Sequence, residues 1–332
     1  MIDDDDRIRD LFRRIDPART PIDAELTSEQ LLVRDRITAT TGTTRPRPRR
    51  WWPALLMPAA AAAAVVLIVL WSVASPLAPA EQAAAATPPR LTFVDDGRSV
   101  EEVVADATAA LAASAGPAEA RRGAVTTGWY YQVDDVGGEQ QSTTILPQTS
   151  VFEWAEDQSG SMTVYVGEPY WPDLSDAPLP DDLPEPGSVL WSMDYAPGEA
   201  QMPDTAPPDD TAEGVLRFLT DFGLSDSADG FTLVTAIESV QQAWTLTNAQ
   251  HAAMLSLLPQ AHGVTVLGTT TDRAGRPVAA LSVQAPRGGS QLHLFLSSET
   301  GRIVGTEVYV TEANEVFPAD AIISYSMWDL PR

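Results

Sequence analysis

Imidazole is both a common metal ligand and the side chain that titrates near neutrality, so the three histidines are the first candidates for chemistry. His251 falls on a predicted helix, His262 just before a predicted strand and His293 inside one. No two of them stand at the H-x3-H or H-E-x-x-H spacing that sets two ring nitrogens on one helix face, so no metal site is expected. The acid pairs Asp95-Asp96, Asp134-Asp135, Asp181-Asp182 and Asp209-Asp210 offer oxygens of the kind calcium takes. None has the D-x-D-x-D-G spacing of a calcium loop, and solvated charge is the plainer reading. A serine nucleophile would want a strained elbow, and no G-x-S-x-G occurs. Neither a catalytic residue nor a cofactor is expected.

Composition removes further classes. The 332 residues contain no Cys, which excludes disulfides, thiolate nucleophiles, Cys-ligated zinc and a lipid anchor through Cys. All 21 basic residues are Arg, so a P-loop lysine and Schiff-base chemistry are excluded as well. Residues 1–50 carry 11 Arg against 10 Asp and Glu, whereas residues 76–332 carry 10 Arg against 36 acids, a net of −26. A part that acidic repels phosphate backbones, so no nucleic-acid partner is expected.

Two short patterns look like motifs. Asp272, Gly275 and Arg276 in "DRAGR", and Gly301 and Arg302 in "ETGR", fit tight hairpin turns. There Gly supplies a positive φ and Asp bonds back to the backbone, with a binding role as the alternative. A third feature is compositional: ten of the 24 aromatics lie between residues 125 and 195. Trp129, Tyr131, Trp154 and Tyr165 are the candidates among them for lining an apolar cavity that takes an acyl chain or a partner peptide. Ordinary core packing is the competing reading.

The elements that must hold these residues begin with a membrane span. Trp51 to Val73 is uncharged, long enough as a helix to cross about 30 Å of hydrocarbon, and flanked by Trp51, Trp52 and Trp71. Arg45, Arg47, Arg49 and Arg50 precede it and no Arg follows until Arg90, which places the N-terminus in the cytoplasm. Ala78 and Ala80 could mark a cleavage site, but a leader of about fifty residues is too long for a signal peptide, so the span reads as a retained anchor. The expected organisation is a cytoplasmic helical segment at 1–50, a transmembrane helix at 51–75, an Ala/Pro tether at 76–97 and an outer domain at 98–332 with a Pro-rich acidic loop at 168–212. In the first segment Ile8, Leu11, Phe12 and Ile15 make an i, i+3, i+4, i+7 stripe, the candidate surface for a cytoplasmic partner.

The outer domain reads as α+β. Capping boxes at Ser99/Glu102 and Thr247/Gln250 start two helices, and "TAEGVLRFLTDF" and "TLVTAIESVQQAW" mark two more. "AVTTGWYYQVDD", "TSVFEWAED" and "SMTVYVGE" read as strands, "SVLWSMDY" is the one regular piece in the Pro-rich stretch, and the last third is a meander of antiparallel hairpins.

The segments "AAMLSLLPQAHGVTVLGTTTDRAGRPVAALSVQ" and "LFLSSETGRIVGTEVYV", with the aromatic "GWYYQ" strand, the short charged N-terminal segment and the anchor, resemble a family of actinobacterial single-pass membrane proteins of uncharacterised function. The resemblance implies a neighbourhood of extracytoplasmic-function sigma factors and hence envelope signalling with a sigma or anti-sigma partner. It also implies an outer domain like the half-barrel of lipoprotein carriers and of an envelope-stress regulator, a curved antiparallel sheet packed with helices. The His-x3-Cys-x2-Cys motif of zinc-type anti-sigma factors is missing from residues 1–50. The expectation is a non-enzymatic regulatory module, with a tethered lipid or lipoprotein carrier as the alternative.

Overall fold

The computed structural model describes residues 88–135, 141–167, 185–225, 229–313, 317 and 319–330, all within the compact unit Met57–Arg332. The stripe Ile8, Leu11, Phe12 and Ile15, the expected span at 51–75 and residues 168–184 of the Pro-rich stretch lie outside the described residues. Among those described, no helix is long and apolar enough to cross a membrane.

Helix starts follow the local capping chemistry. Helix α1 (Val100–Ala113) opens on a complete capping box between Ser99 and Glu102. Helix α2 (Ala212–Asp221) is capped by the Thr211 hydroxyl and α3 (Gly230–Ala243) by the Asp229 carboxylate. Helix α4 (Asn248–Leu255) repeats the box with Thr247 and Gln250, and a single 3-10 turn follows at Leu258–Gln260. Each cap satisfies backbone N–H groups that have no partner inside the first turn.

Eleven strands complete the described elements: β1 (Arg121–Arg122), β2 (Ala124–Asp135), β3 (Gln141–Trp154), β4 (Gly160–Val166), β5 (Val189–Tyr195), β6 (Trp244–Thr245), β7 (Thr265–Thr271), β8 (Pro277–Gln284), β9 (Ser290–Ser297), β10 (Ile303–Val310) and β11 (Ile322–Met327). Strands β1 and β6 pair alone. The other nine form one antiparallel sheet in the order β5-β4-β3-β2-β11-β10-β9-β8-β7, which is not closed. The fold is therefore α+β, as expected. Strands consecutive in the chain account for every neighbouring pair except β2 and β11, where the last strand enters between the two halves.

Strand β3 starts at Gln141, well before the expected Thr149, and contains Pro147. Proline lacks the N–H that a ladder needs. Its neighbour β4 pairs with β3 only from Gln148 onward, and the Pro147 carbonyl still accepts from Gly167 N at 2.8 Å. The missing donor thus falls where β4 ends, and the strand tolerates it.

Register fixes which side chains share a face. Thr306 stands opposite Ser326, Ser326 opposite Gly128, Gly128 opposite Gln148, and Gln148 opposite Val166. Helix α3 packs on this face, where the Thr306 hydroxyl donates to Glu238 and Gln241 donates to the Ile303 carbonyl. That helix is buried on nearly every side, from Leu233 and Val234 through Ile237 to Val240. The opposite face holds a smaller cluster, Val278, Ala280, Phe295 and Val304, under Leu91 and Phe93.

Candidate functional site

Trp129 and Trp154, two of the cavity candidates, are on opposite faces of the sheet. Trp129 stands opposite Pro147 on β3, and Trp154, seven residues further along β3, therefore points to the other side. Trp129 is fully buried and meets Tyr325 edge-on at 5.8 Å. Trp154 is on the helix face, where its indole donates 2.8 Å to the Ala243 carbonyl and its ring meets Trp244 edge-on at 4.9 Å. The Arg122 guanidinium lies over both rings, at 5.5 and 5.7 Å, and donates to the Thr205 carbonyl. Tyr165 pairs with Thr149 and is half-buried. Tyr131 is opposite Ile145 in β2, and its side chain is outside the described residues. One cavity lined by Trp129 and Trp154 together is not formed, because positions an odd number of residues apart on a strand fall on opposite faces of the sheet.

The two arginine turns are structural hubs. Asp272 Oδ1 accepts from Ala274 N and Arg276 N at 2.9 Å each, the back-bonding the sequence pattern predicts. Arg276 then reaches outward to the Trp328 and Val304 carbonyls at 2.6 and 3.0 Å. Arg302 donates to Asp329, to Asn248 Oδ1 at 2.7 Å and to the Leu246 carbonyl at 3.1 Å. Both turns thereby grip the residues that follow β11. Their guanidinium forks are occupied by the chain itself.

Buried titratable groups lie on both faces. Burial pushes the Glu238 carboxyl up to about 7, partly offset by the hydroxyls of Thr306 and Ser326. On the opposite face Arg273 Nε donates 2.5 Å to Glu307 Oε1, and burial raises the Glu307 carboxyl despite the guanidinium beside it. His251 Nδ1 accepts from Ile303 N at 3.3 Å, and burial, with Arg302 nearby, holds its pKa well below the ordinary imidazole value. His293 is pushed down to about 4 by burial and by Arg90, between Phe93 and Tyr309, each 5.7 Å away. These histidines are core residues carrying no charge near neutrality. Among the described residues no cluster of three or more His, Asp or Glu is placed to hold a metal ion.

The acid pairs are held locally where their side chains are described. Asp96 pairs with Arg98, Asp95 accepts from Gly97 N, and Asp209 pairs with Arg217. The Asp134-Asp135 side chains and Asp181-Asp182 are outside the described residues.

Among the described residues two hollows stand out. One of about 180 Å³ is lined by Gln241, Trp244, Leu246, Arg302, Trp328 and Asp329, where the arginine turn meets the last strand. A groove of about 630 Å³ runs along Pro117, Glu119, Pro208, Asp210 and Asn248. The first is smaller than the roughly 300–1,000 Å³ of most ligand sites, and the second is lined largely by loop residues.

Among the described residues, three of the exposed large apolar side chains lie on edge strand β5. Its pairing sets Trp191 opposite Val164 and Met193 opposite Met162, so both lie on the helix face. Val189, Trp191 and Met193 are 56%, 44% and 47% exposed. The alternation in "VLWSMDY" was the only signal that could have found this row. Period-two patterning sets Trp191 and Met193 apart from Ser192 and Asp194, and such a pattern ordinarily means that the apolar face is covered.

The sequence matches no family model and no curated protein. Among solved structures the chain is similar to the crystal structure of a DUF1329 family protein from Desulfovibrio piger, at 9% identity and a TM-score of 0.19, over 69% of this chain and 91% of that one. A likeness at that score carries no argument about fold or function.

Proposed function

We propose that the chain is a non-enzymatic, single-pass envelope protein, held by a transmembrane helix at 51–75, whose outer domain binds a partner and whose cytoplasmic segment reports the binding to extracytoplasmic-function sigma signalling. In this reading the nine-stranded sheet is the curved half-barrel wall and α3 fills its hollow. One observation carries the choice of a partner-binding module over the alternative of a lipid or lipoprotein carrier. The space a carrier would keep open for an acyl chain is occupied by α3, with Leu233, Ile237 and Val240 at 1% exposure or less, while the exposed apolar row lies on an edge strand. Edge strands suit polypeptides, because they offer backbone donors and acceptors as well as side chains.

The test uses the full chain in its own membrane, with a photo-crosslinking residue placed at Ile8 and the partner stripe altered by Leu11→Asp and Phe12→Asp. A cytoplasmic crosslink that the double substitution abolishes supports the reporting role. A crosslink pattern unchanged by it would sink that role and leave a passive tail. Native mass spectrometry of the detergent-solubilised chain addresses the alternative: a discrete adduct of lipid mass would favour the carrier.

A further inference from the structure

The two edges of the sheet are treated differently by the chain. At the β7 edge, Val94 bridges Thr269 with backbone bonds of 2.8 and 3.0 Å, and the Thr270 hydroxyl donates 2.8 Å to the Thr92 carbonyl. The chain comes so close there that a Cβ on Gly268 would sit 2.1 Å from the Val94 carbonyl oxygen. That edge is capped by residues 92–95. At the other end β5 pairs with β4 alone, and among the described residues no strand follows it. From Trp191 to Tyr195, past the irregularity at Val189, five residues free of proline leave alternate N–H and C=O groups turned outward along roughly 17 Å.

The two faces of β5 differ in chemistry. Trp191 and Met193 are apolar and exposed on the helix face. Ser192 and Asp194, on the other, are also exposed, and Asp194 stands in one rung with Ser161 and exposed Glu153. The whole stretch from Gly123 to Leu216, which supplies β2 to β5, contains 18 Asp and Glu and not one Arg. An added strand therefore meets apolar side chains on one face and, on the other, the Asp194 carboxylate, which has no ion-pair partner among the described residues. A second copy of this chain would bring a second acidic, arginine-free stretch rather than a complement of opposite charge.

We propose that the outer edge of β5 is a docking site for an extended polypeptide segment in which apolar residues alternate with arginine or lysine, added as a tenth strand. The inference deepens the partner-binding reading above and rests on it. Apolar residues of the incoming strand cover Trp191 and Met193, its basic residues face Asp194, and its backbone completes the ladder at the edge of β5.

The probe is a capped eight-residue peptide of alternating Arg and Val, titrated calorimetrically into the full chain in non-ionic detergent. Binding should weaken with added salt, since exposed charges are screened beyond about 10 Å at 0.1 M. It should weaken at least tenfold for an Asp/Val peptide, for an Arg/Pro peptide that keeps the charge but cannot form a ladder, and for the Trp191→Asp, Met193→Asp chain. The single Met193→Lys chain, with an exposed site and no buried contact to lose, is the second variant, and its melting temperature should match the parent. Equal binding of the Arg/Pro peptide would reduce the interaction to charge attraction and overturn the strand-addition proposal. Full affinity in both variants would place the peptide elsewhere and overturn it too. No binding to the parent chain, with the stripe-dependent crosslink at Ile8 intact, would overturn this site while the partner-binding reading stood.

Discussion

The Thr306 hydroxyl donates a 2.9 Å hydrogen bond to Glu238 Oε1 across the junction of β10 and α3, and neither residue is more than 4% exposed. The next residue along, Glu307, turns to the other face and pairs with Arg273. Two consecutive positions of one strand thus anchor a buried acid on each side of the sheet, by different means: hydroxyls against the carboxyl on one side, an ion pair on the other.

Glu238 makes stability fall with rising pH. Its carboxyl moves from 4.5 when unfolded to about 7 when folded, so between those values the folded chain keeps a proton that the unfolded chain has lost. The contribution is complete below about pH 4.5 and is lost as pH rises through about 7. A shift of that size corresponds to on the order of 3 kcal/mol. Denaturant unfolding of the parent and of Glu238→Gln, compared at about pH 4 and pH 8, should show the variant gaining that much on the parent at the higher pH. A gap that does not change with pH would mean the carboxyl titrates normally. Using the difference cancels His251 and His293, whose lowered pKa values act in the opposite sense by favouring the folded chain less as pH falls below 6.5.

The Arg273–Glu307 pair should behave asymmetrically under substitution. Both side chains are at most 4% exposed, so removing the cation leaves an uncompensated buried carboxylate. Arg273→Met alone is expected to cost about 3–5 kcal/mol. Adding Glu307→Met should recover most of that loss, because an apolar pair has no desolvation cost to offset. A double-mutant cycle by denaturant unfolding measures it, and simple additivity of the two substitutions would show that the pair is not coupled.

The two turn glycines should part company. Gly275 has φ +80° and open space where a Cβ would go, so Gly275→Ala carries only the backbone strain of about 1–2 kcal/mol. Gly301 has φ +72°, and a Cβ there would meet the Ala107 carbonyl oxygen at 1.9 Å. Gly301→Ala must therefore push α1 off the sheet as well, and its melting temperature should fall well below that of Gly275→Ala. Equal melting temperatures would mean that α1 yields at little cost.

Much of this architecture was legible in the sequence. Ser99/Glu102 and Thr247/Gln250 started helices as their capping boxes required, and "AVTTGWYYQVDD" became β2 residue for residue. Asp272 closed its turn by back-bonding to Arg276 N. The candidate site was less legible. The aromatic enrichment between 125 and 195 was plain, yet Trp129 and Trp154 ended in separate parts of the core, and exposed Trp191 was not among the residues singled out.

The division has a physical cause. Capping, turn chemistry and period-two alternation depend on residues within a few positions of one another, so the amino-acid order alone determined them, as it determined the absence of thiol and lysine chemistry. Sheet order and register join segments far apart in the chain, such as Trp328 and Thr126, 202 residues apart and linked through Trp328 Nε1. Only the tertiary fold decided that β11 enters between β10 and β2, that both arginine turns close on the residues after β11, and that β5 is the end strand of the sheet among the described residues. A one-residue change of register would exchange the two faces of any strand, and no local pattern carries that choice between strands.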